Sequence, residues 1–341
     1  MSELAAGESS LDSERWSGEG LLVAMTVSGR VVEVHGMLVT VRVDGGPRLR
    51  ARPPRDRVTP VIGDLCEVEC QAESLDEVES RRAECRVVSL VPRVRVFERL
   101  GVPRQVVAAN IDRLVIVSAV DPAPRPGLID RMWVALADPA VEVVLVVNKC
   151  DLGLEAAVVF DDHVRAGAEV LATSTRTGEG IETLRHRVGS GVSLFVGHSG
   201  VGKSSLVNAL VPGAKLATGD VDAWGKGRHT TTVATCHEVG DALVVDTPGV
   251  RAFPIEGLAE AEAARRFPGL VELAGRCHMS DCLHVAEPGC EVLEAAESDE
   301  LVRRHHGRWL ALLESMREER AERRRGRPER PEKGGQGSRR R

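Results

Sequence analysis

Residues 197–204 read Gly-His-Ser-Gly-Val-Gly-Lys-Ser, directly after the apolar run 192–196 and directly before 205–210, Ser-Leu-Val-Asn-Ala-Leu, which suits a helix. Strand, glycine-rich turn and helix in that order make the G-x-x-x-x-G-K-[ST] unit. It needs a mostly parallel sheet flanked by helices, with the turn at the carboxyl end of a strand. Gly197, Gly200 and Gly202 let the amides of His198, Ser199 and Val201 curl round a phosphate, and the N-terminus of the helix that begins near Ser204 and Ser205 adds its partial positive charge.

In that unit Lys203 reaches the β- and γ-phosphate oxygens and Ser204 ligates Mg²⁺, so a nucleoside triphosphate is the expected ligand. Two further motifs select the base and the chemistry. Asp246-Thr-Pro-Gly249 follows the apolar run 242–245, which places Asp246 at a strand end where it would hold Mg²⁺, with the Gly249 amide near the γ-phosphate. Asn148-Lys149-Cys150-Asp151 ends the apolar run 141–147. A carboxylate at Asp151 can accept two hydrogen bonds from guanine N1 and N2, which adenine does not offer. Ser174, within 173–175 and ahead of Gly178-Glu-Gly180, fits a loop supporting the base from its other side. The three motifs together read as a GTPase, with Lys203 as a catalytic cation.

Their order is reversed: the base-reading motif at Asn148 precedes the phosphate loop at Gly197. The set closes in space if the old termini are joined and new ones opened elsewhere, a circular permutation. It leaves Asp246 at the end of its domain, tied to whatever follows. Between the motifs, 225–232 (Gly-Lys-Gly-Arg-His-Thr-Thr-Thr) stands where a first switch is expected, with Thr231 or Thr232 completing the Mg²⁺ shell. Val250 occupies the place of a water-orienting glutamine, so hydrolysis should be slow unless His229 or a partner orients the water.

The chain of 341 residues is too long for a single ordinary domain. Residues 1–20, rich in Ser, Glu and Gly, read as disordered. Residues 21–97 carry short alternating β-rich runs between turn clusters, which suit a small closed barrel. An OB-fold is the first reading, and an SH3-like barrel fits the pattern almost as well. The α/β texture occupies 104–255, a helical Cys/His segment 256–316, and an Arg-rich tail 317–341 reads as lacking a fixed fold. Apolar residues are 43 % with no long uninterrupted run, and the acidic, polar N-terminus is unlike a signal peptide, so a cytoplasmic protein without a membrane span is expected. Net charge is −6, but the tail is locally basic and suited to sequence-independent phosphate contacts with RNA.

In that compartment the eight cysteines read as thiols or metal ligands rather than disulfides. Cys277, Cys282, His284 and Cys290 fall within fourteen residues and suit one closed, structural Zn²⁺ site, with His278 a competing ligand by composition. Cys66, Cys70, Cys85, Cys150 and Cys236 read as core or surface thiols.

Taken in this order, residues 109–112 (Ala-Asn-Ile-Asp), 148–151, 197–205, 227–232, 246–249 and Cys277-x₄-Cys282-x-His284-x₅-Cys290 resemble the ribosome small subunit-dependent GTPase A family, RsgA or YjeQ, over about residues 25–316. The resemblance implies an N-terminal OB-fold, a permuted GTPase domain and a C-terminal zinc domain. It also implies late assembly of the small ribosomal subunit, contact with its rRNA, stimulation by that subunit, and His229 as catalytic histidine. Thr175 stands where that family usually has alanine, and the Arg-rich tail lies outside the resemblance. The expected molecule is a monomer that binds GTP and GDP. Two other readings are a nucleotide-gated binding module with negligible turnover and a permuted GTPase acting on the large subunit.

Overall fold

The computed structural model describes residues 24–55, 58–72, 84–99, 105–136, 140–153, 160–211, 235–246 and 258–326. Five strands come first: β1 (Ala24–His35), β2 (Leu38–Val43), β3 (Arg48–Ala51), β4 (Leu65–Gln71) and β5 (Cys85–Leu90). They pair antiparallel in the order β3-β2-β1-β4-β5. Their alternation buries Val31, Val39, Val41, Leu49, Val68 and Val87 on one face. The two outer strands are also joined, because Arg52 N–H donates to the Cys85 carbonyl at 2.9 Å and Val87 N–H to the Arg52 carbonyl at 2.9 Å.

Cys70 and Cys85 are directly opposed on β4 and β5 and form a disulfide. This corrects the expectation of two free thiols: antiparallel pairing brings their Cα atoms to 4.1 Å, a separation that sequence spacing does not reveal. Cys66, Cys150 and Cys236 are free thiols.

A short pair, β6 (Phe97–Arg99) with β7 (Gln105–Ala108), leads into the second sheet. Asn110 is buried there with φ 57°, donates to the Gly63 carbonyl at 2.9 Å and accepts from the Val94 amide at 3.1 Å. The second sheet contains β8 (Arg113–Ala119), β9 (Glu142–Asn148), β10 (Glu169–Ala172), β11 (Val192–Gly197), β12 (Thr235–Val239) and β13 (Ala242–Asp246). Its order is β10-β9-β8-β11-β13-β12, parallel except for β12.

Period-two alternation explains why these strands read as unbroken apolar runs. Leu114, Ile116 and Leu145 face α1 (Pro126–Leu136), where Ile129 and Met132 meet them. Val115, Val117 and Val144 face the opposite layer, where α3 (Ile181–Arg187) supplies Leu184 and α4 (Lys203–Leu210) supplies Leu206 and Leu210. The short α2 (Asp161–Arg165) precedes β10. The first sheet leans on the hairpin β12–β13: Arg48 Nε donates to Glu238 at 3.1 Å and Arg42 to the Asp241 carbonyl at 2.7 Å.

The last element group is α5 (Glu260–Arg266), α6 (Val271–Ala274), α7 (Glu291–Ser298) and α8 (Glu300–Gly326). Helix α8 continues through Gly326, which corrects the reading of 317–326 as part of an unstructured tail. Ion pairs of its later turns hold it: Arg317 and Arg320 meet Glu260, the latter pair at 2.9 Å, and Glu319 receives Arg131 of α1 at 2.6 Å. Residues 327–341 and 1–23 lie outside the described residues. Trp309, fully buried against Phe267, donates from its indole N–H to the Leu283 carbonyl at 2.7 Å and so ties α8 to the Cys/His segment.

Candidate functional site

The parallel strands end on one edge of the second sheet, so the permuted chain order still brings Asn148, Gly197 and Asp246, the first residues of the three motifs, to that edge. Strand β11 lies between β8 and β13 and delivers the turn 198–202. Strand β13 delivers Asp246, and β9, two positions over, delivers Asn148.

At the start of α4 the Lys203 ammonium pairs with the Asp246 carboxylate, both nearly buried, with 10 % and 6 % of their side chains exposed. Lys203 of the 197–204 turn and the strand-end Asp246 thus sit at bonding distance although 43 residues separate them. Gly202 precedes the helix with φ 85°, and a Cβ there would overlap the Asn148 amide nitrogen. That amide donates to the Val201 carbonyl at 2.8 Å, while its own carbonyl oxygen accepts from Thr173 at 3.3 Å. Asn148 is therefore a buried brace between the 197–204 turn and the 148–151 turn. Lys149, at φ 60°, extends the brace by donating to the carbonyls of Asp121 at 2.6 Å and Gly200 at 2.8 Å.

Asp151 Oδ1 accepts from the Ser174 hydroxyl at 2.6 Å, and Oδ2 accepts from Arg176 Nε at 2.8 Å. The Ser174 oxygen in turn accepts from the amides of Arg176 and Thr177, both at 3.2 Å. The Ser174 hydrogen bond, helped by the Arg176 charge and outweighing the opposite push of burial, holds the Asp151 carboxyl below its ordinary range. Ser174 thus touches Asp151 itself. Thr173, from the same 173–175 stretch, completes the arrangement with Asp121 and Arg176, which no motif spacing singles out. His198, Ser199 and Gly200 are on the solvent side of the turn and Val201 is buried. His229, Thr231, Thr232, Gly249 and Val250 lie outside the described residues.

The ligating atoms of Cys277, Cys282, His284 and Cys290 all lie within 4.8 Å of one another. The Cys277 and Cys290 sulfurs are 3.9 Å apart, and His284 Nδ1 is 3.6 Å and 3.4 Å from them. A tetrahedron with metal–sulfur bonds of about 2.3 Å has edges of roughly this length. Burial pushes the Cys282 thiol up to about 12, a preference that a cation among the four groups reverses. The segment is shaped without help from an ion as well. Glu287 accepts from the amides of Leu283 at 3.0 Å, Val285 at 2.7 Å and Ala286 at 3.0 Å. Burial would raise its carboxyl, but these hydrogen bonds outweigh it and bring it down to about 2. His306 of α8 donates to the His284 carbonyl at 2.6 Å. His278 is outside the cluster.

Residues 90–256 match the RsgA GTPase family model. The chain is 35 % identical to the small ribosomal subunit biogenesis GTPase RsgA of Chlorobaculum tepidum, covering 86 % of this chain and 99 % of that protein. It is 31 % identical to the protein of the same name from Bacteroides fragilis, covering 88 % and 97 % respectively. Among solved structures it is similar to YjeQ from Thermotoga maritima, with TM-score 0.66, 29 % identity and coverage of 86 % and 99 %. YloQ, described as a circularly permuted GTPase, shares the fold with TM-score 0.65 at 22 % identity, over 86 % and 96 %. With its reversed motifs gathered on one sheet edge, the chain belongs to the RsgA GTPase family and is a GTP hydrolase.

Proposed function

We propose that this GTPase binds the small ribosomal subunit and hydrolyses GTP there during its assembly, with the subunit stimulating turnover. The observation that carries this reading is the nearly end-to-end similarity to relatives named for small-subunit biogenesis, over 99 % of the length of the Chlorobaculum protein.

In this reading the amides of 197–202 and the Lys203 ammonium take the triphosphate, and Asp151 takes the guanine edge. Lys203 leaves Asp246 for the β- and γ-oxygens when nucleotide enters. Ser204, Asp246 and Thr231 or Thr232 would hold Mg²⁺, which supplies charge neutralisation on the phosphates. His229 is assigned to the attacking water. Cys277, Cys282, His284 and Cys290 would hold one structural Zn²⁺.

The first sheet is read as an OB-type barrel facing rRNA, a reading supported by the hydrogen bonds that join its outer strands at Arg52. The basic end of α8 and the tail would add phosphate contacts. Among the described residues no helix is long and apolar enough to cross a membrane. The setting proposed is the cytoplasm.

Co-sedimentation of the full chain with purified small subunits, in the presence of GDP or of a non-hydrolysable GTP analogue, tests the proposal. Binding that is tighter with the triphosphate is expected. Equal binding in both states, or none, contradicts it.

A further inference from the structure

Arg176 belongs to none of the recognition motifs, yet it holds half of the base-reading carboxylate. The two groups bonded to Asp151 come from different surroundings. Ser174 is fully buried, and its hydroxyl is fixed by two backbone amides, so its contact with Oδ1 at 2.6 Å is an inner brace. Arg176 has 74 % of its side chain exposed and meets Oδ2 at 2.8 Å from the solvent side. Lys149, the nearest other cation along the chain, is turned away and held by the Asp121 and Gly200 carbonyls. A guanine edge uses N1–H and N2–H together and needs both carboxylate oxygens in one plane. One of those two acceptors already has a charged donor.

We infer that Arg176 is a displaceable cap on Asp151: it keeps the carboxylate aligned in the nucleotide-free chain, and guanine entry swings it out. It therefore sets the affinity and the entry rate for guanine nucleotides. This rests on the reading of Asp151 as the guanine acceptor. Exposed ion pairs are weak, so the competition is small and salt-sensitive.

The test uses the full chain and N-methylanthraniloyl-GDP, followed by equilibrium and stopped-flow fluorescence. Arg176→Ala should bind about two- to fivefold tighter at low salt, chiefly through faster association, with Arg176→Lys in between. At about 1 M salt, where screening reaches ~3 Å, the ratio to the parent chain should approach one. Equal or weaker binding by Arg176→Ala at low salt overturns the cap. Asp151→Asn separates this failure from failure of the base reading, since an amide should weaken GDP and favour the xanthine analogue, whose 2-position is an acceptor. If Asp151→Asn binds GDP as the parent does, the base reading falls and the cap with it. If it switches preference as expected, adding Arg176→Ala to it should change nothing further; a further gain in affinity overturns the cap alone.

Discussion

Replacing Lys203 by alanine should have two separable consequences. In the nucleotide-free chain the ammonium neutralises Asp246, whose strand β13 is buried along its whole length and whose side chain is only 6 % exposed. Removing one partner of a buried pair leaves an uncompensated charge, at a cost of about 3–5 kcal/mol. That is a large part of a typical total of about 5–15 kcal/mol, so the urea midpoint should fall clearly. Removing both partners relieves the orphaned carboxylate, and Lys203→Ala with Asp246→Ala should regain most of that loss. The second consequence concerns GTP. Nucleotide at a hundredfold excess over its Kd stabilises the parent chain by about 2.7 kcal/mol, and neither variant should show this gain or any turnover. A Lys203→Ala chain as stable as the parent, or one still stabilised by GTP, would refute the pairing and the phosphate role respectively.

Asn148→Ala removes the buried donor to the Val201 carbonyl and should cost about 1–3 kcal/mol, with weaker GDP binding, read by thermal unfolding with and without nucleotide. Gly269→Ala places a methyl group against the ring of buried His305 at a backbone with φ 83°, and should destabilise α8 packing by several kcal/mol, visible as faster amide exchange in 300–326. His305 is 1 % exposed and burial pushes its pKa below the ordinary value of 6.5, with Asp162, Gly269 and Arg308 around it. The neutral form is the folded one, so its contribution is complete above about pH 6.5 and is lost as pH falls below that value; His305→Gln should flatten that limb of the stability curve. The proposed Zn²⁺ site predicts that a chelator, or Cys282→Ser, should loosen 277–290 in amide exchange while leaving GDP affinity within about twofold.

The inner strands β8, β9, β11 and β13 were legible because they are largely buried and read as plain apolar runs, the last three ending in motifs that chemistry restricts, whereas the edge strand β12 is only partly buried and carries no such run. The run 141–147 became Glu142–Asn148, and the run 242–245 became Ala242–Asp246. Strand β3 was hidden because its outward positions are arginines, which mask the alternation around Leu49 and Ala51. The Cys70–Cys85 bond depends on register between two strands, which composition cannot carry. The later turns of α8 looked like a charged tail because their charges are satisfied across to Glu260 and α1, by partners far away in sequence. Two braces of the site were equally silent: Asp121 and Arg176 act through a carbonyl and an exposed guanidinium that no spacing rule selects. The clasp of Arg42 and Arg48 on the β12–β13 hairpin links the first sheet to the strand that carries Asp246, again across nearly two hundred residues.

The rate of GTP hydrolysis by the full chain, measured alone, with purified small ribosomal subunits and with purified large subunits, tests the account most directly. Slow turnover alone and a clear acceleration by small subunits only is the predicted result. Acceleration by large subunits, or none by either, would contradict it.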